Sequence, residues 1–361
     1  MARLVTESIE NLRPYIGGKP IEELARERGL KNIVKLASNE SALGPSPQAL
    51  QAAQRALVDV HRYPDSAAFR LRTAIARFHG VSFEEVIHGN GSNEIIELLV
   101  RTFMTPGDHM VFGRPSFSMY PVVAAAHNVF TSVVPTSGDF VHDLPAMVQA
   151  VLPSTKMVII DNPNNPTGTY VTRDVVEAFL RDVPPEVIVV MDEAYFEFAD
   201  AADYPDSISL RSLRERLVIL RTFSKAYGLA GFRVGYGVAP ASLIAYMDRL
   251  RAPFNVGVLS QEAAIAALAD QAYLEKVVSL NNAERARLEK ALQGAGRVVY
   301  PSQTNFILVD FGRPSGELYE KLLDRGVIVR PLGGLDTHLR ITVGTAEENN
   351  CLLQALEDIF S

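Results

Sequence analysis

Lys156-Met157-Val158-Ile159-Ile160 runs into Asp161-Asn162-Pro163-Asn164-Asn165-Pro166-Thr167-Gly168, Val187-Ile188-Val189-Val190-Met191 into Asp192-Glu193-Ala194-Tyr195, and Leu217-Val218-Ile219-Leu220 into Arg221-Thr222-Phe223-Ser224-Lys225. The apolar residues in each run are consecutive rather than alternating, so both faces of the resulting strand need cover. Strands of that kind belong to a parallel sheet with helices on both sides. Such a sheet binds ligands beyond the carboxyl ends of its strands. All three runs close on polar residues, so three consecutive strands deliver polar groups to one edge.

Working outward, helical patterns alternate with short apolar runs from about Val81 to Ala239, which predicts an α/β core. Asn93 to Phe103 places Ile95, Ile96, Leu99 and Phe103 on one helical face, and the last helix repeats the pattern with Leu352, Leu353, Leu356, Ile359 and Phe360. Both faces read as core. Ser82 with Glu85 and Thr345 with Glu348 stand at capping-box spacing. After about Asn255 a long helical stretch, Ser260 to Gln293, leads to strand-like runs at Asn305 to Val309, Val327 to Arg330 and Leu339 to Val343. The order predicts a large domain over 50–255 with a mostly parallel sheet covered by helices. A smaller α+β domain is built from 256–361 together with the N-terminal segment 1–49.

With 361 residues, 47% of them hydrophobic, the chain can bury a large core. Its 35 Lys+Arg and 42 Asp+Glu give a net charge of -7 and are scattered, which makes nucleic acid and anionic membrane poor partners. The single cysteine, Cys351, can form neither an internal disulfide nor a thiolate metal cluster and reads as a small residue on a helix. No stretch approaches eighteen uninterrupted apolar residues, and the expected location is the cytoplasm. A His-Glu-x-x-His pattern, a Walker phosphate loop and a Gly-x-Ser-x-Gly elbow do not occur, and no metal is assigned.

An acid such as Asp192 at the end of a buried strand is costly unless it meets a cation or hydrogen-bond donors. A protonated pyridine nitrogen would be such a cation, and Tyr195 stands close enough in sequence to donate to an oxygen on the same ring. Alternatively, Asp192 caps the following turn, and it or Glu193 pairs with a surface arginine. Lys225 lies in a segment rich in small residues, with Gly228, Gly231 and Gly235 allowing close approach; a lysine there either forms a Schiff base or is a solvated surface charge. Gly89-Asn90-Gly91-Ser92-Asn93 leads into a helix and suits an anion, with Ser224 and Arg233 able to add a hydroxyl and a guanidinium; it also reads as a plain strand-to-helix turn. Strand alternation sets Arg340 opposite Leu339, Ile341 and Val343, where it either clamps a carboxylate or lies on the surface.

Asn162-Pro163-Asn164-Asn165-Pro166-Thr167-Gly168, Asp192-Glu193-Ala194-Tyr195 and Thr222-Phe223-Ser224-Lys225-Ala226-Tyr227-Gly228-Leu229-Ala230-Gly231-Phe232-Arg233-Val234-Gly235 resemble, in order and spacing, the signatures of fold-type-I aminotransferases dependent on pyridoxal 5'-phosphate. Arg13-Pro14-Tyr15-Ile16-Gly17-Gly18-Lys19-Pro20, Ala37-Ser38-Asn39-Glu40 with Gly44-Pro45-Ser46-Pro47, and Arg62-Tyr63-Pro64-Asp65 resemble the histidinol-phosphate aminotransferase branch. The resemblance runs nearly end to end. It implies that Lys225 anchors the cofactor covalently, Asp192 faces the pyridine nitrogen, and Tyr195 and Asn165 contact the ring oxygen. It assigns the phosphate to Ser92, Asn93, Thr222, Ser224 and Arg233, and ring stacking to Phe117.

On the substrate side the resemblance implies Arg340 for a carboxylate, Tyr15 and Arg330 for the substrate phosphate, and Asn39 as a further substrate contact. Tyr63 is expected to reach the cofactor phosphate of a neighbouring subunit, which implies a homodimer. The activity implied is amino transfer between histidinol phosphate and 2-oxoglutarate or glutamate. The alternatives are an aromatic amino-acid aminotransferase and, further away, a decarboxylase or lyase on the same fold. Two departures stand out: the phosphate turn reads Gly91-Ser92-Asn93 where relatives often carry an acid third, and Phe117 stands where many carry tyrosine.

Overall fold

The three apolar runs are adjacent strands in the computed structural model, which describes residues 4–12 and 17–361. Tyr15 and the rest of the segment Arg13 to Ile16 lie outside the described residues. In chain order the strands are β1 (Val34–Lys35), β2 (Val86–Gly89), β3 (His109–Arg114), β4 (Phe130–Pro135), β5 (Thr155–Asp161), β6 (Ile188–Asp192) and β7 (Leu217–Thr222). They continue with β8 (Gly235–Val238), β9 (Val298–Tyr300), β10 (Phe306–Asp310), β11 (Val327–Ile328), β12 (Arg330–Leu332) and β13 (Leu335–Thr342).

Seven strands form one sheet in the order β2-β8-β7-β6-β5-β3-β4. The pairs from β7 to β4 are parallel, whereas β8 runs antiparallel to both β7 and β2. The consecutive apolar residues are explained by two cores. Val158, Ile160, Val189, Met191, Leu217 and Ile219 join the core on one face, and Met157, Ile159, Ile188, Val190, Val218 and Leu220 join the core on the other. Register aligns Asp161 with Asp192, so the two carboxyl-terminal ends finish level with each other.

A second sheet, β12-β13-β10-β9, is antiparallel and four-stranded. Its buried face, with Ile307, Val309, Leu339 and Ile341, packs on Leu352 and Leu356 of the helix Ala346–Phe360 and on Leu318 and Leu322 of the helix Ser315–Leu323. Far away in sequence, β1 pairs in parallel with β11 and ties the N-terminal segment to this part of the molecule.

Three local expectations are corrected by the structure. The helical stretch after Asn255 is two helices, Val258–Ala269 and Gln271–Gly294, because Asp270 leaves helical geometry and its side chain accepts the Tyr273 N–H at the start of the second. Val327 to Arg330 is two short strands, β11 paired with β1 and β12 with β13. Glu85 accepts the Ser82 N–H at 2.8 Å, but the turn it closes is a single 3-10 turn, Phe83–Glu85, running into β2. Thr345 and Glu348 do form the reciprocal cap, heading the helix Ala346–Phe360.

Cys351 is exposed and free, and no described helix is long and apolar enough to cross a membrane. One polar cluster lies inside the large sheet's surroundings. Arg221 on β7 donates to Glu193 through Nη2 at 2.8 Å and Nε at 3.1 Å, reaches Asp206 at 2.7 Å, and covers the Phe196 ring at 3.4 Å from its centre. Both members of the Arg221–Glu193 pair are buried. Removing one partner leaves the other charge uncompensated. Arg221→Ala should therefore lower the free energy of unfolding by about 3–5 kcal/mol in urea denaturation; a loss below about 1 kcal/mol, the range of an exposed pair, would contradict this account.

Candidate active site

The ends of β5, β6 and β7 open into one cleft. Asp161 and Asp192 lie side by side at its floor, Lys225 and Tyr195 come from the loops that follow β7 and β6, and Asn39, Phe117, Asn165, Arg330 and Arg340 line its walls. Ser92, Asn93, Thr222, Ser224 and Arg233 close one end.

Asp192 is buried, and its Oδ2 accepts the Tyr120 hydroxyl at 3.0 Å. Its Oδ1 makes no hydrogen bond of good geometry among the described residues, and a backbone hydrogen bond from Ala194 to the carboxyl favours the charged form. Burial, and next the charge of Asp161, push the Asp192 carboxyl up to about 7. The neighbouring acid behaves differently because Glu193 turns away from the cleft and takes Arg221. Of the two fates open to this pair of acids, the ion pair fell to Glu193, and Asp192 keeps an oxygen for a cation in the cleft.

The Lys225 amine sits at the base of the cleft, donating to the Ser38 carbonyl at 3.3 Å, a long contact for an ammonium. Burial first, and then Arg340, lower its pKa to about 8, which makes the neutral amine accessible near physiological pH. The adjacent Gly228, at φ +70°, lets this loop lie on the Gly44 backbone, where a Cβ would stand 2.4 Å from the carbonyl.

An anion cradle forms where the helix Ser92–Phe103 begins. The helix amides and their partial positive charge point out of Ser92 and Asn93. Gly235 brings β8 against this turn, since a Cβ there would stand 2.5 Å from the Ser92 nitrogen. Arg233 adopts the left-handed conformation at φ +54°, and its guanidinium lies where a Cβ on Gly91 would stand, 2.6 Å from Nη2. Thr222 Oγ1 accepts the Ser224 N–H at 3.1 Å and donates to Ser224 Oγ at 3.1 Å, which fixes both hydroxyls at the cradle. Asn93 Oδ1 is buried and has no partner among the described residues.

The remaining wall is a network reaching from the second sheet. Arg340 on β13 donates to Asn165 Oδ1 at 2.6 Å and to the Ala37 carbonyl at 2.8 Å, so it points into the cleft. Asn39, at φ +55°, donates from Nδ2 to Tyr195 Oη at 3.0 Å and is itself held by Thr342 and Asn305. Burial raises the Tyr195 hydroxyl to about 12, so it stays a proton donor.

Tyr63 is 82% exposed and stacks on Phe254 at 4.6 Å, outside the cleft of its own chain. Tyr15 lies outside the described residues. Two participants were missed: Tyr120, which donates to Asp192, and Asp161, which closes its strand as Asp192 does yet was given no role by the sequence reading. The signal for Asp161 was an acid ending a buried run, the same signal that singled out Asp192.

The sequence profile of aminotransferases of class I and II matches residues 31–356. The chain is 48% identical to a histidinol-phosphate aminotransferase of Anaeromyxobacter sp. (strain Fw109-5), with 99% of each chain covered. It is 46% identical to one of Moorella thermoacetica, covering 98% of this chain and 92% of that one. Among solved structures, histidinol-phosphate aminotransferase from Sinorhizobium meliloti in complex with pyridoxal-5'-phosphate superposes with a TM-score of 0.90 at 31% identity, covering 99% of this chain and 97% of that one.

The depressed basicity of Lys225 is directly measurable. In the ligand-free protein labelled with 13C at lysine Cε, the Lys225 resonance should titrate with a midpoint near pH 8, losing its charge as pH rises through that value. A midpoint at the ordinary lysine value of about 10.4 would mean the amine is solvated.

Proposed function

The chain belongs to the aminotransferases of class I and II, pyridoxal-phosphate enzymes, and from that membership we propose that it exchanges an amino group between histidinol phosphate and 2-oxoglutarate or glutamate, in histidine biosynthesis. The observation that carries the site assignment is the pairing, in one cleft, of the Lys225 amine, its basicity lowered by burial, with the buried Asp192 carboxylate, whose Oδ1 has no hydrogen bond of good geometry among the described residues.

The residues present fit pyridoxal 5'-phosphate. Asp192 Oδ1 would take the protonated ring nitrogen, which supplies the missing cation. The turn at Ser92 and Asn93, with Thr222, Ser224 and Arg233, would hold the phosphate; Phe117 would cover the ring, and Tyr195 and Asn165 would reach its oxygen. When bound, the cofactor supplies an aldehyde for the amino group and a cationic ring that delocalises the electron pair left on the amino-bearing carbon.

The chain's own groups do the rest. Lys225 Nζ anchors the cofactor and, once freed, holds or releases the proton exchanged at that carbon. Tyr195 Oη, held by Asn39, keeps its proton and donates. Arg340, aimed by Asn165 and the Ala37 carbonyl, receives the carboxylate of glutamate as a fork of two donors. Arg330 lines the same cleft and is assigned to the substrate phosphate; Tyr15 belongs to the same assignment by sequence alone.

The wider organisation follows the same reading. Residues 50–255 would form the cofactor-binding domain, and 1–49 with 256–361 the second unit. The helix Val258–Ala269 packs into the large sheet's core through Ala263, Ala264 and Ala267, which favours drawing the boundary nearer Asp270. A homodimer with shared sites is supported by the exposed Val58, Val60, Tyr63 and Phe69, near one another in sequence, and by the exposed Phe254 that stacks on Tyr63. Tyr63 would then reach the neighbour's cofactor phosphate. The cytoplasm is the proposed location, in keeping with the free, exposed Cys351.

Steady-state kinetics with histidinol phosphate, phenylalanine and glutamate test the reading. The expected result is the highest kcat/KM for histidinol phosphate among the amines, with Arg340→Ala raising KM for glutamate about 10–100-fold through loss of charge-assisted hydrogen bonds. A preference for phenylalanine, or release of carbon dioxide without amino transfer, would contradict it. Light scattering should give twice the protomer mass of 39.6 kDa, and a monomer at micromolar concentration would contradict the shared site.

A further inference from the structure

The carboxylate of Asp161 is buried in the same cleft as Asp192, yet the reaction described above gives it no work. One of its oxygens bonds to the walls of the cleft and the other to side chains behind them. Oδ2 accepts the backbone N–H of Phe117 at 3.2 Å and that of Asn165 at 3.0 Å. Oδ1 lies 2.9 Å from His142 Nε2 and accepts from Asn164 Nδ2 at 3.3 Å, and Asn164 also donates to the Pro115 carbonyl at 3.0 Å. One oxygen therefore joins the segment that carries the stacking ring to the segment that carries the Arg340-linked asparagine. His142 is wedged against Gly113, where a Cβ would stand 2.2 Å from Nδ1, so the carboxylate's own support is tightly packed.

Register places Asp161 directly beside Asp192 on the neighbouring parallel strand. Adjacent strands lie about 4.8 Å apart. Two carboxylates at that spacing favour a cation placed against either of them.

We propose that Asp161 is a positioning residue for the cofactor ring: it ties the two ring walls together through one carboxylate oxygen and sets a second negative charge beside Asp192 that helps keep the ring nitrogen protonated. The proposal rests on the reading that Asp192 faces that nitrogen. The electrostatic link is already visible in the ligand-free protein, where the Asp161 charge is, after burial, the largest influence raising the Asp192 carboxyl. An asparagine at 161 would keep the shape, remove the charge and present an NH2 group to one set of donors, so the tie and the charge would both weaken.

The test uses two non-covalent probes: pyridoxamine 5'-phosphate, which has no aldehyde for Lys225, and its analogue with carbon in place of the ring nitrogen. Dissociation constants are measured by calorimetry on the ligand-free dimer or monomer as isolated. The unaltered protein should bind the nitrogen-containing probe more tightly. Asp161→Asn should weaken the analogue about tenfold through the loosened walls and the nitrogen-containing probe about a hundredfold, so that discrimination narrows tenfold, equivalent to about 1.4 kcal/mol. Asp161→Glu should restore most of the discrimination, because the charge returns, while both affinities stay lowered. Should Asp161→Asn fail to fold, Asp161→Ser removes the same charge and is judged on the same ratio. Equal losses for both probes, or none, would overturn the proposal and leave the Asp192 reading standing. Equal affinity for the two probes in the unaltered protein would overturn both.

Discussion

A carboxylate buried at the end of a strand, with no charged partner for it among the described residues, is the constraint around which this cleft is arranged. Asp192 ends a strand that is apolar on both faces, in a place where water cannot solvate its charge. Such a group protonates or waits for a cation. Its surroundings leave the second option open: Tyr120 fixes one oxygen, Arg221 is taken by Glu193, and Lys225 is held at the Ser38 carbonyl. Asp192 thus offers a buried carboxylate at the cleft floor, and in the function proposed above the pyridinium of the cofactor is the cation that meets it.

The other parts of the site can be understood as ways of orienting a ring against that atom. The helix beginning at Ser92 turns its N-terminal end to the cleft, where it would hold an anion, and Lys225 lines the same cleft. Gly91, Gly228 and Gly235 are small because backbone and guanidinium groups occupy the space a side chain would need. The second sheet contributes Arg340 and, through Thr342 and Asn305, the orientation of Asn39. In the proposed function, substrate recognition would come from an element formed more than a hundred residues after Asp192 and Lys225, which would tie the two sheets into one functional unit.

Much of this was legible in the sequence. Consecutive apolar residues announced strands covered on both faces, and the polar residues after each run marked the edge where ligands bind. Alternation placed Arg340 opposite the core of β13, as found, but it could not tell a surface arginine from one entering a cleft, since that depends on Asn165 and Ala37 far away in sequence. The fates of Asp192 and Glu193 were equally hidden, because local sequence does not say which of two adjacent acids meets Arg221. Asp161 went unassigned although it carries the same mark as Asp192; two of its four partners are backbone N–H groups, which leave no trace in side-chain patterns, and a third, His142, lies 19 residues away. The break at Asp270 was missed because apolar periodicity continues on both sides of a single capping residue.

The protonation state of the ring nitrogen is the central claim in its most direct form. Reconstituting the protein with pyridoxal 5'-phosphate labelled with 15N in the ring and recording its NMR spectrum at neutral pH reads that state without reference to turnover. The account predicts the chemical shift of a protonated pyridine, moving to that of a neutral one in Asp192→Ala. A neutral pyridine shift in the unaltered protein would mean that the buried carboxylate serves some other purpose.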